Sequence, residues 1–198
     1  MGRSPHYALT TVTASTTDPV TLASAKRHLS VSSTGDDALI TDMITWATAK
    51  FEADIGRKLI NATMAIYADA FPADGPIVLP RSPLANTSGV TITYVNSSAG
   101  TTSTWSSSLY DVDKYSEPPR IYPAYNQSYP SNVRSTVLHP VKVQFTAGYG
   151  TTQSSMPKLA IQAINTAVAE QYRHREVGAW DETAETGWQN TIGLSRWE

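Results

Sequence analysis

The spacing of apolar residues changes partway along the chain, and that change limits the fold more than any other feature. Ile40, Met43, Ile44, Ala47, Phe51 and Ile55 recur at intervals of three and four. One helix face collects them all, which predicts an amphipathic helix over 37–55. From Ile60 onward the interval drops to two. Ile60, Ala62, Met64, Ile66 and Ala68 alternate with Asn61, Thr63, Ala65, Tyr67 and Asp69, the pattern of a strand. Gly56, with Arg57 and Lys58 beside it, separates the two regimes as a normal helix end. Asp36 or Asp37 is expected to cap the helix and complement its dipole.

The same two periods organise the rest. Thr21 is a suitable N-cap for a short helix over 22–29, because its hydroxyl can accept from an orphan amide. Ile77-Val78-Leu79 reads as a short strand ended by Pro80. Val90, Ile92 and Tyr94 alternate with Thr91, Thr93 and Val95. A turn at Ser97-Ser98-Ala99-Gly100 then pairs them with Thr101–Trp105 as a hairpin. Short strands follow at 109–112 and 120–122, then a loop rich in Pro, Tyr, Asn and Ser, then Val141, Val143 and Phe145. A last helix over 156–176 starts with Ser155 as a possible cap and Pro157 in its first turn. Ile161, Ile164, Val168 and Tyr172 form its stripe, with Ala160, Ala163 and Ala167 as a small-residue flank.

The fold class expected is α+β. Amphipathic helices at both ends of the chain pack with a small central antiparallel β region over 59–147. A flexible, extended N-terminal arm covers 1–18, a single domain covers 19–177, and a tail covers 178–198. The length of 198 residues suits one ordinary domain.

Little in the chain suggests chemistry. With no cysteine, a disulfide scaffold, a Cys-ligated zinc site and a thiol nucleophile are all excluded. A net charge of -2 argues against a dedicated nucleic-acid binder. No apolar run resembles a signal peptide or reaches transmembrane length. His6, His28, His139 and His174 show no metal-ligand spacing. Glu170 and His174, four apart, read as a helix-surface pair. No Gly-x-Ser-x-Gly elbow is present. Asp36 and Asp37 would point about 100° apart on a helix, which fits capping better than acid–base work. The expectation is no catalytic residue, no cofactor and no metal.

The aromatics are the remaining candidates. Trp105, Tyr122, Tyr125 and Tyr129 could be β-core residues, interface anchors or a sugar-binding platform. The tail lacks a helical or strand period yet holds Trp180, Trp188, Leu194 and Trp197 between Gly178, Gly187 and Gly193. That combination predicts a segment mobile in the free subunit that orders on docking.

Several segments, taken in order, resemble a known family. PVTLASAKRHL at 19–29 precedes Asp36-Asp37-Ala38-Leu39-Ile40 and a helix ending at Gly56-Arg57. Phe71-Pro72 precedes IVLPRSPL at 77–84; VTITY at 90–94, YDVD at 110–113 and RIYP at 120–123 follow. VKVQFTAGYG at 141–150 then leads into Pro157 and a helix ending Tyr172-Arg173-His174-Arg175-Glu176. Over about 19–176 the chain resembles the head–tail connector, or adaptor, proteins of long-tailed phages and gene-transfer agents. The resemblance implies a structural virion protein at the head–tail interface, assembled in the host cytoplasm. It implies a homo-oligomeric ring of about twelve copies closed by head-to-tail contacts. Its partners would be the portal protein and a stopper or tail-completion protein, with DNA passing through unread and no membrane involved. Under that reading the tail residues Trp180, Trp188, Leu194, Arg196 and Trp197 become candidates for portal docking. Two other readings stay open: a carbohydrate-binding or host-recognition module of a tail protein, and a hydrolase using His139 or His174.

Overall fold

The computed structural model describes residues 7–174 and 182–195. They belong to two compact units, residues 15–60 with 150–198 and residues 1–14 with 61–149; the described α-helices lie in the first and the described strands in the second. The α+β class expected from the two periods is therefore observed.

In the helical unit, α1 (Leu22–Leu29) begins where the Thr21 hydroxyl accepts from the Ser24 amide at 3.2 Å, the cap its sequence suggests. The next helix, α2 (Asp37–Ile55), buries Ile40, Met43, Ile44, Ala47 and Phe51. Ile55, the last member of the expected stripe, is only half-buried in the final turn. Gly56 ends α2 with φ +70°, a left-handed conformation that glycine adopts without a steric penalty. Beyond that turn the Glu52 carboxylate accepts from the Leu59 amide at 2.9 Å and pairs with the Lys58 ammonium, fixing the exit path.

The expected capping by aspartate is corrected. Asp36 occupies the N-cap position of α2 but makes no side-chain cap bond. It accepts instead from the Tyr172 hydroxyl at 2.6 Å, while Asp37 pairs with Lys26. Both carboxylates thus tie neighbouring helices to α2, which competes successfully with local capping.

In α3 (Lys158–His174), Ala160, Ala163, Ile164, Ala167 and Val168 are buried, and Ile161 and Tyr172 are half-buried. Ser155 does not cap this helix. It closes a short 3-10 turn at Gln153–Ser155, and Met156 is extended at φ −81°, ψ 144°. Pro157 disfavours the helical region for the residue before it, so the helix starts two residues later than expected. The alanines let α3 lie along α2.

Within the tail, the expected lack of a helical period does not hold. Residues Glu182–Ser195 form a fourth helix, α4, packed on α2 and α3. Trp188 is 4% exposed and Ile192 1%. The Trp188 ring meets Phe51 edge-on, with centroids 5.9 Å apart, and its Nε1 donates to Asp54 at 2.7 Å. Lys50 lies over the indole at 5.4 Å and bridges Asp54 and Glu185. Trp188 therefore has a buried polar partner as well as a ring partner, which is how large aromatics become stable core residues.

The β unit holds a five-stranded antiparallel sheet in the order β1-β2-β8-β4-β5 and a three-stranded sheet in the order β3-β7-β6. The strands are β1 (Tyr7–Thr13), β2 (Ala62–Ala68), β3 (Ile77–Val78), β4 (Thr91–Val95), β5 (Thr102–Trp105), β6 (Tyr110–Asp113), β7 (Arg120–Pro123) and β8 (Val141–Ala147). In β8, Val141, Val143, Phe145 and Ala147 are buried while Lys142, Gln144 and Thr146 are not, the strict alternation of a one-sided strand. The β4–β5 hairpin turns where Asn96 Oδ1 accepts from the Ser98 and Ala99 amides and Gly100 takes φ +67°.

Residues 7–13 of the expected extended arm add an edge strand to β2. Leu9 packs on the core, and main-chain pairing from Tyr7↔Ala68 to Thr13↔Thr63 supplies the rest. Where β8 leaves the sheet, Gly148 has φ +142°, and a Cβ there would fall 2.6 Å from the Asn61 backbone. Only glycine fits that crossing.

The β core gathers Ile66, Ile77, Leu79, Ile92, Ile121, Val143 and Phe145. Phe71 stacks on Tyr129 at 5.3 Å and meets Trp105 edge-on at 5.8 Å, and Trp105 touches Tyr110. The Tyr110 hydroxyl donates to the Val90 carbonyl at 3.0 Å. Burial raises its pKa above the usual phenol value.

Candidate assembly surfaces

Three kinds of surface remain once the cores are assigned. The first is the outer side of α2. Leu39 and Trp46, seven apart, are each 38% exposed, and Ala49 and Ala53 continue the same side. Asp42 is its one charged residue. A helix that is apolar on both its inner and outer sides departs from the usual solvent-facing pattern.

The second is the three-stranded sheet. Inward positions are Ile77, Tyr110 and Ile121; outward positions include Val78, Asp111 and Tyr122. Tyr115 and Tyr125, in the turns at either end of β7, are 87% and 90% exposed. Both turns are built. Asp113 accepts from the Ser116 hydroxyl and from the Ser116 and Tyr115 amides, and these bonds hold its carboxyl below the usual pKa. Asn126 takes φ +57°, and the Gln127 amide donates to the Ala124 carbonyl at 2.8 Å, which sets Tyr125 at a turn apex.

The third is the pair of open edges of the five-stranded sheet, β1 and β5.

Of the four aromatics singled out from the sequence, Trp105 and Tyr129 belong to the core and Tyr122 and Tyr125 face outward. Nothing in their local sequence separates the two pairs. Tyr115, the other strongly exposed tyrosine, lies in a Ser- and Pro-containing turn, and that was its only signal.

Among the tail residues, Trp188 is buried in the helical unit, and Leu194 lies in the last turn of α4. Trp180, Arg196 and Trp197 lie outside the described residues.

The catalytic candidates stand apart. His139 Nδ1 is 3.1 Å from Asp69, and His174 Nε2 is 3.1 Å from Glu170; all four side chains are at least partly in solvent. Among the described residues no group of three His, Asp or Glu could hold a metal ion, and no helix is long and apolar enough to cross a membrane. His139→Ala and His174→Ala are expected to fold and assemble like the parent. Each should change stability by no more than about 1 kcal/mol, the worth of an exposed ion pair. A loss of assembly in either variant, seen by sedimentation, would overturn this.

Comparison with known proteins agrees with a structural role. A family model described as phage gp6-like head-tail connector protein matches residues 19–122, just over half of the chain. No curated protein matches it by sequence. It is similar in fold to a chain in the neck of an empty gene transfer agent particle computed with C6 symmetry. The TM-score is 0.79 at 23% identity, over 96% of this chain and 95% of that one. A chain in the virion of a native gene transfer agent particle gives 0.74 at 24% identity, over 95% and 94%. One in the neck of a native particle computed with C12 symmetry gives 0.69 at 24%, over 91% and 94%. The family match runs from α1 through β7, across both units, and the chain belongs to the phage gp6-like head-tail connector family, structural proteins of the virion's head–tail junction.

Proposed function

We propose that the chain is the adaptor of a tailed particle. It closes into a ring of about twelve copies beneath the portal, extends the DNA channel and offers a platform to the stopper or tail. The observation that carries this reading is the connector-family match over 19–122. The fold shared with neck chains over nearly the full length, one neck being twelvefold symmetric, supports it. A mildly acidic chain, with net charge -2, suits a channel that must let DNA slide, because a basic lumen would grip phosphates. The role is structural and assigns no catalytic step.

Portal docking falls to Trp180, Leu194, Arg196 and Trp197 of the C-terminal segment. Trp188 is left out, because it is what holds α4 to Phe51. Co-sedimentation with purified portal-bearing heads tests the reading. The full chain should pellet with heads in a fixed ratio, and a chain lacking 196–198 should fold but pellet at least tenfold less. A full chain that stays in the supernatant would overturn the adaptor role. A truncated chain that pellets normally would overturn only the docking assignment.

A further inference from the structure

We propose that neighbouring copies in the ring join through their five-stranded sheets, the open edge of β1 in one copy meeting the open edge of β5 in the next. This rests on the ring reading above and names the surfaces that would close it.

The two sheets of the β unit treat their edges differently. In the three-stranded sheet the edges are guarded. β3 is two residues long with Pro80 close behind, and β6 carries Asp111 and Asp113. Short strands, prolines and charges are the devices that stop an edge from pairing with another chain. In the five-stranded sheet the edges carry neither charge nor proline, although β5 is as short as β6. The β1 sequence YALTTVT and the β5 sequence TSTW contain no charged residue and no proline. Among the described residues β1 pairs with β2 only, and β5 with β4 only. The one irregularity in β1 is a register shift between Thr11 and Thr13. Val12 is 47% exposed there, and Ala8, Thr10, Thr102 and Thr104 are exposed as well.

A ring of identical subunits needs two different surfaces on each subunit, because its contacts are heterologous. The sheet has two different edges, both free of charge and proline. Four antiparallel steps separate β1 from β5, so the two strands run in the same direction. Copies related by rotation about an axis along the strands keep that direction, so the joint is a parallel pairing, limited by the four residues of β5. A second copy of this chain is therefore the occupant that each edge fits.

Register gives a direct test. Ala8 pairs with Tyr67, Tyr67 with Lys142, Lys142 with Thr93 and Thr93 with Thr104. Ala8, Thr10, Thr102 and Thr104 thus share the outer face of the sheet, away from Leu9 and Trp105; beyond the register shift that face passes to Thr13. Three full-length variants follow: Ala8→Lys with Thr10→Lys, Thr102→Glu with Thr104→Glu, and all four together. Each is melted and then imaged with portal-bearing heads. The two double variants should melt like the parent and lower ring yield about tenfold or more, the effect of a charge stranded in a joint. The quadruple variant should restore rings, because opposite charges then face each other across each joint. Rings that survive either double variant overturn the proposal, as does a quadruple variant that stays unassembled. Rings that form normally but no longer recruit a stopper or tail also overturn it, and assign the edges to that partner. If the parent forms no ring, the adaptor reading itself fails, and the joint with it.

Discussion

A chain lacking residues 185–198 should lose its helical unit, not merely a tail. The deletion removes most of α4, including Trp188 and Ile192, which are 4% and 1% exposed, and uncovers Phe51 on α2. Each of these large side chains contributes on the order of 2–5 kcal/mol when fully buried. Their joint loss is comparable to the whole stability of a small folded unit, about 5–15 kcal/mol. It also takes the Trp188 indole from Asp54 and the Glu185 carboxylate from Lys50, which leaves those two paired with each other and only partly covered. Circular dichroism at the helical minimum should show a marked drop in signal at room temperature, and the chain should aggregate at low concentration. A truncated chain that melts with the parent would show that α4 does not complete this core.

Phe51→Ala is the sharper version of the same test. Phe51 is 1% exposed, lies in the buried stripe of α2, and meets Trp188 edge-on at 5.9 Å. Truncation leaves a cavity between α2 and α4, with a cost of about 3–5 kcal/mol. For a chain of this size that lowers the melting temperature by roughly 10 °C. Trp188 fluorescence should shift to longer wavelength as water reaches the indole. A melting temperature within a degree of the parent, with unchanged emission, would mean that Phe51 is not a core residue.

The parts of the fold that were legible are those whose partners share a period. The α2 stripe, the alternation of β8 and the β4–β5 hairpin follow from spacings within a few residues. What was not legible depends on distant partners. α4 contains Gly187 and Gly193, poor helix formers, and its described buried positions are only Trp188 and Ile192. It is held by Phe51 and Asp54, more than 130 residues away in sequence. β1 is similar: a Thr-rich segment with one core residue, Leu9, becomes a strand because β2 offers it an edge. Asp36 and Asp37 have the right chemistry for capping but find Tyr172 and Lys26 instead. At the candidate surfaces, Trp105 and Tyr125 read alike in sequence, yet one is 4% exposed and the other 90%. Tertiary context alone separates them.

These placements change how an adaptor of this kind would work. The helical core includes α4, so Trp188 belongs to the fold of the subunit and not to a docking segment. The β unit, by contrast, presents two sheet edges without charge or proline and three exposed tyrosines. Closure of the ring is assigned to the edges. Tyr115, Tyr122 and Tyr125 remain available to a further neck component, as amphipathic side chains suited to interfaces.

Imaging the purified chain bound to portal-bearing heads tests the central claim most directly. The account predicts a closed ring of cyclic symmetry seated at the portal vertex, with an open central channel, in class averages of the loaded heads. Heads with bare portals in saturating chain, or single copies bound at scattered sites, would contradict it.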